Sequence, residues 1–226
     1  MKPPAYRLCA VITGDVVASS ALPAAGRQRL LRVMEESSRV LRKALGAAVP
    51  LDVDVFRGDS WQVYLADPVP ALRAALLFRA ALRARMESHR FDTRLAIGIG
   101  TADIIPRVRA SQGGGEAFRA SGLALDGMKK RRMAVAFPSA DAEGPLDVLV
   151  HLLDAIAVHW SDRQAQAVVG ALQGWTQKRI AASWGSRGIT QQAAALHLEA
   201  AGWHAVRRGL EEFERVVTVL RDAAGS

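Results

Sequence analysis

Short strand-like runs and longer helical ones alternate over the first hundred residues in the order β-α-β-β-α-β, and few folds accept that order. Residues 7–13 (RLCAVIT) form a continuous apolar run ending at Gly14-Asp15, the pattern of a strand buried on both faces. A helix is expected over 23–45: Pro23 suits a first turn, Leu30, Leu31, Met34, Val40 and Leu41 recur at helical spacing, and Gly46 can close it. Residues 53–56 and 61–65 read as two strands around Arg57-Gly58-Asp59-Ser60, a hairpin signal. A second helix follows over 69–89, with Leu72, Leu76, Leu77, Ala80 and Met86 as inward positions, and then a fourth strand over 93–101 (TRLAIGIGT). Residues 111–115 (SQGGG) are too rich in glycine for regular structure and predict a mobile loop; a helix over 116–129 and a short strand over 133–137 come next. The order is that of an α+β, ferredoxin-like or palm domain with an antiparallel sheet. In such a sheet the first and third strands are antiparallel neighbours, so Asp15 and Asp59 are expected to face each other at one edge.

Residues 139–146 (SADAEGPL) read as a linker between a palm-like domain, 1–138, and a helical domain, 147–226. Ser161 is placed to cap one helix, Thr176 to cap TQKRIAASW before Gly185, and Thr190 to cap TQQAAALHLEAA before Gly202; a long amphipathic helix follows over 203–222. Two short helices around a tight connection, braced by flanking helices, describe a helix-turn-helix domain.

The formal charge of +8 is confined to one part of the chain. Residues 1–146 carry 22 basic and 14 acidic groups, whereas 147–226 carry 8 of each. A positive domain attracts phosphate-bearing partners, nucleotides and polynucleotides alike. The single cysteine, Cys9, has no internal disulfide partner and reads as a small buried hydrophobe, and the first 21 residues lack the pattern of a signal peptide. No run approaches the roughly 20 apolar residues of a membrane helix. A cytoplasmic protein is expected.

Two aspartates meeting from a strand end and a hairpin can hold a divalent cation, Mg²⁺ or Mn²⁺, because Mg²⁺ takes one or two carboxylates and completes its shell with substrate phosphates. Gly14 and Gly58, beside those carboxylates, would let the backbone approach a triphosphate. In the helical half, Gln177, Ala181 and Gly185 keep the spacing of the first helix of a helix-turn-helix. Thr176 and Thr190 place helix starts toward phosphate, Gln191 and Gln192 can reach adenine edges, and Lys178, Arg179 and Arg187 can contact the backbone. The four tryptophans from Trp160 to Trp203 read as the core of this half, and the five histidines show no metal-binding spacing.

The segments VITGDVVAS, FRGDSW, RLAIGIGTA, GGEAFRASGLAL and TQKRIAASWG with TQQAAALHL together resemble the SatD family of bacterial proteins over nearly the whole chain. The N-terminal half is more distantly similar to class III nucleotide cyclases and GGDEF proteins, whose palm domains bind two metals through aspartates at these two places. That resemblance implies Asp15 and Asp59 as metal ligands and Gly14, Arg57, Gly58, Ser60 and Gly115 as nucleotide contacts. It also sets Arg119 at the position of the cyclase transition-state asparagine and Leu123 at that of the arginine. Leu123 cannot stabilise a pentavalent phosphate; Arg119 could, as could Arg57, Arg94 or the cations of 129–132. The expectation is a regulator that binds a purine nucleotide in its palm and contacts DNA as a homodimer. An active nucleotide cyclase and an adaptor that binds a protein partner are the alternatives.

Overall fold

The computed structural model describes residues 7–56, 58–86, 91–137, 140–185 and 188–225. Its elements run β1 Cys9–Val16, α1 Ala24–Leu45, β2 Asp54–Phe56, β3 Ser60–Leu65, α2 Ala71–Met86, β4 Thr93–Gly100, α3 Glu116–Gly127 and β5 Met133–Ala136. Five helices follow: α4 Ala140–Ala157, α5 Asp162–Leu172, α6 Gln177–Ala182, α7 Gln191–Ala200 and α8 Trp203–Ala224. The fold is α+β, and the sheet has the order β2-β3-β1-β4-β5, antiparallel except for the parallel pair β4–β5. β1 and β3 are antiparallel neighbours, as the palm order requires.

Register sorts the strand residues onto two faces. Ala10 and Ile12 align with Leu65 and Val63 on β3 and with Ile99 and Ile97 on β4, all buried, and this face carries the main core. Cys9, Val11, Thr13 and Asp15 point the other way, where α3 lies. α3 sits close because β4 presents Gly98 and Gly100 to it: a Cβ at Gly98 would stand 2.5 Å from the Ser121 amide nitrogen. Thr13 and Ser121 share a 2.8 Å hydroxyl contact across this interface, and the Gln62 amide donates to Thr13 at 2.9 Å.

α2 explains how the two parts of the chain join. It is buried on nearly every side, a property of helices with partners all around. The sheet and α1 cover one flank, and α5 and α8 cover the other. The core cluster therefore runs unbroken from Ile12 and Trp61 through Leu76 to Val168 and Phe213.

Two expectations are corrected. From residue 140 on, the linker expected over 139–146 is helix instead: α4 begins at Ala140 and carries Pro145 within it. A proline in the second turn removes one intrahelical donor and does not end the helix, while Leu146 and Val150 are held in the core. Residues 111–115 are also not a free loop. Gly114 pairs with Ile104 through amides at 3.0 Å in both directions, and the Ser111 amide donates to Asp54 at 2.9 Å. The glycines here serve contact: a Cβ at Gly115, whose φ is 134°, would stand 2.6 Å from the Asp103 amide.

Candidate functional site

The register places Ser60, Asp15 and Arg94 side by side on β3, β1 and β4, one row of three at the edge of the α3 face. Asp59 stands just before that row, tied to β1 by the Val16 amide, which donates to its carbonyl at 3.2 Å. The two aspartates thus line one open pocket of about 410 Å³ with Ser19, Ser60, Arg94, Lys129 and Arg132. A volume of a few hundred Å³ accommodates a small polar ligand.

Each carboxylate already has a protein partner. Arg94 grips Asp15 through both carboxylate oxygens, with Nε 3.0 Å from Oδ1, and this hydrogen bonding raises the guanidinium pKa above its ordinary value. The Ser19 hydroxyl donates to Asp59. Behind them the backbone is fixed by a relay: the Trp61 indole donates to the Thr93 hydroxyl at 2.9 Å, and Thr93 donates to the Asp15 carbonyl at 2.6 Å. The turn following β1 holds Ala18 in the left-handed region at φ 60°. A residue with a Cβ adopts that conformation at a cost of about 1–3 kcal/mol, and such strain gathers at binding sites.

The donor set suits a cation that arrives with its ligand. Among the described residues no group of three or more carboxylate, histidine or cysteine side chains could form a protein-only cage. Two carboxylates facing three cations fit the mode in which phosphates complete the shell of Mg²⁺ or Mn²⁺.

The other expected nucleotide contacts separate. Gly58 forms the hairpin turn at φ 84°, a backbone state that favours glycine. Gly14 faces the core, not the pocket: a Cβ there would meet the Trp61 indole at 2.5 Å, so its hydrogen makes room for a ring. Gly115 and Arg119 lie at the far end of β4, beyond Gly100, where Arg119 is exposed and pairs with Asp103 at 3.7 Å. Arg119 therefore does not reach the aspartate pocket within one chain. The cations that do reach it are Arg94, Lys129 and Arg132, since α3 runs antiparallel to β4 and delivers the basic run after its C-terminus to the aspartate end. Arg57 lies outside the described residues.

A buried ion cluster backs this pocket, and the motifs did not single it out. Arg79 on α2 is 1% exposed and donates to both oxygens of Asp92 at 2.8 and 2.7 Å and to Asp154 on α4 at 2.6 Å. Asp154 in turn accepts from the Arg132 amide at 2.6 Å, and the Asp92 carbonyl accepts from the Val17 amide at 2.8 Å. Burial alone would raise the Asp92 pKa, but the hydrogen bonds and charge of Arg79, with Arg83 behind, hold it below the ordinary value. The cluster left a sequence signal: Arg79 and Arg83 fall at helical spacing inside the apolar pattern of α2.

In the helical half, Thr176, Gln177, Lys178, Arg179, Thr190, Gln191 and Gln192 are all exposed. The Thr176 hydroxyl accepts from the Arg179 amide at 3.3 Å, and the Thr190 hydroxyl accepts from the Ala193 amide at 3.1 Å, so both cap helices as expected. α6 and α7 are packed together, with the Ile189 amide donating to the Ala181 carbonyl at 3.1 Å and Gln191 reaching Gln177 at 3.5 Å. Arg187 lies outside the described residues.

No family model matches the chain, and no curated protein does. Among solved structures, a bacterial light-regulated adenylyl cyclase is similar at 13% identity with a TM-score of 0.38. A second structure of such a cyclase is similar at 15% with a TM-score of 0.36. Each covers 57% of this chain, which spans 43% of the length of either.

Proposed function

We propose that the protein is a nucleotide-responsive regulator: the aspartate pocket takes a purine nucleotide with a divalent cation, and α6 with α7 contacts DNA. The observation that carries the first half is the meeting of Asp15 and Asp59 in one pocket with Arg94, Lys129 and Arg132. In this reading Asp15 and Asp59 hold the cation, which supplies charge neutralisation on the phosphates when bound. Lys129 and Arg132 face the remaining phosphate oxygens. Arg94 holds Asp15 in place without a ligand, and Ser19 holds Asp59.

The second half rests on seven exposed polar residues at the starts of two packed, capped helices. A homodimer follows from this reading, since one helix pair addresses one half-site. Nucleotide binding would bias the DNA-binding arrangement only through unequal affinity for two arrangements of the helical half. The pocket has a physical path to that half, because Arg132 lines the pocket and donates its amide to Asp154 on α4.

Cyclisation of the nucleotide is the second reading. Lys129 and Arg132 favour it, as cations near the phosphates; the distance of Arg119 from the aspartates within one chain weighs against it.

Thermal unfolding in ATP or GTP, with and without Mg²⁺, tests the nucleotide site beside an Asp15→Asn/Asp59→Asn variant. Ligand at about a hundred times its Kd adds roughly 2.7 kcal/mol. A Mg²⁺-dependent rise in melting temperature, lost in the variant, is the expected result. No shift with any nucleotide would remove the pocket from this function, and turnover to a cyclic product would move the reading to the enzyme.

A further inference from the structure

The helical half carries eight basic and eight acidic groups, and a duplex-binding module needs cations for phosphates. The tertiary structure brings them from elsewhere. On α1, Arg29, Arg32, Glu36, Arg39 and Lys43 recur at intervals of three and four residues, which sets them on one face of the helix. That face forms one wall of an open groove of about 770 Å³. Arg85 of α2 adds a further cation, and the opposite wall is made by α5 and by Trp175 and Ser183, the residues that bracket α6.

We propose that this groove is a phosphate-backbone site for duplex DNA, adding its cations to Lys178 and Arg179 of α6. The inference rests on the DNA reading above and adds the α1 face as part of the same contact surface. Five cations against one carboxylate, set beside the apolar surfaces of Val33, Val40 and Val169, focus a positive potential along the groove. Glu36 offsets only part of it, through its 3.4 Å pair with Arg85, and Arg39 reaches Glu35 at 4.0 Å. Arg32 and Lys43 have no ion pair among the described residues. From residue 29 to residue 43 the stripe is about 21 Å long at 1.5 Å per residue. Duplex DNA advances about 3.4 Å per phosphate along each strand, so a stripe of that length can follow several phosphates.

The aromatic content separates duplex from single strand. Single-strand grooves stack bases on exposed aromatic rings. Among the described residues Trp175 is the one aromatic lining this groove, and the Arg179 guanidinium lies over its ring at 4.4 Å. The groove is therefore equipped for phosphates and not for splayed bases.

The test is fluorescence anisotropy of the full-length protein with a labelled duplex of about 20 base pairs and its single strand, over a salt series. It compares wild type, Arg32→Ala/Arg39→Ala/Lys43→Ala on α1, and Gln191→Ala/Gln192→Ala on α7. Wild type is expected to prefer duplex, and the α1 variant to bind every duplex sequence more weakly. Its log-log salt slope should shrink by about 0.9 for each phosphate that is no longer neutralised. Its circular dichroism melting curve should match wild type, because the three side chains are solvent-facing. A duplex-binding wild type whose affinity and slope survive the α1 changes overturns the groove alone. Weaker binding by the α1 variant with full retention in the α7 variant keeps the groove and overturns the α6–α7 reading. Preference for the single strand overturns the duplex assignment, and a wild type that binds no duplex overturns both.

Discussion

Gly14 shows how one missing side chain can have a packing cause in a place where chemistry would also explain it. Beside Asp15 it reads as a gap for phosphate, yet its Cβ position is taken by the Trp61 ring at 2.5 Å and by the Arg94 carbonyl at 2.6 Å. Gly14→Ala should therefore lower stability by about 1–3 kcal/mol, the range for overpacking a filled core. A urea-unfolding midpoint equal to wild type would contradict this. Asp92 gives a pH-dependent prediction at the same scale. Burial would raise its folded pKa, but the hydrogen bonds and charge of Arg79 together with the charge of Arg83 depress it. An aspartate in the unfolded chain titrates at about 3.9, so the stabilisation from Asp92 is complete well above that pH and is lost as pH falls through the lower folded value. The stability gap between wild type and Asp92→Asn should thus be full at neutral pH and close in acid; a gap that stays constant down the acid limb would show that Asp92 does not titrate as this cluster requires.

At the scale of elements, the caps are local and were legible as such. Ser161 accepts from the Gln164 amide while the Gln164 side chain accepts from the Ser161 amide at 2.7 Å, a reciprocal cap written in four adjacent residues. Thr176 and Thr190 cap in one direction only, accepting from the Arg179 and Ala193 amides, and each threonine-to-alanine change should cost about 1 kcal/mol. Hydrogen exchange should show the first turns of α6 and α7 opening more readily in those variants, with α1 unaffected; unchanged exchange would mean that packing alone holds the turns. The start of α4 was not legible, because Gly144-Pro145 reads as a break when neighbours are unknown. What overrides it is burial of Leu146, Val150 and Leu153 against the rest of the core. The loop after β4 misled for a related reason, since a Cβ at Gly113 or Gly115 would run into Phe118 or the Asp103 amide, so these glycines are held in contact.

For the whole molecule, the shared core and the Arg79 cluster predict that the sheet and the helical half unfold together. Trp61 reports on the sheet, and Trp160, buried with its indole donating to the Ala201 carbonyl at 2.8 Å, reports on the helices. Variants retaining one or the other tryptophan should show the same unfolding midpoint, whereas two separated transitions would mean that α2 does not bind the halves into one cooperative unit. Arg79→Leu would leave two buried carboxylates without their partner and should cost about 3–5 kcal/mol, read by both tryptophans alike. A loss confined to one probe would place the cluster inside one half only. Among the described residues no helix is long and apolar enough to cross a membrane.

The order of elements, their caps and the meeting of Asp15 with Asp59 were legible in residue order, because periodicity, turn residues and antiparallel register are local or follow from topology. Which cations share the aspartate pocket, the separation of Arg119 from it, and the placing of the basic face of α1 beside the residues that bracket α6 emerge from the packed fold. Those outcomes depend on how helices settle against the sheet and against each other, and side-chain packing over long sequence separations sets that placement. The same physics made α2 the shared centre of both halves: a helix with two arginines in its apolar face needs carboxylates from two distant segments, Asp92 and Asp154, to be buried at all.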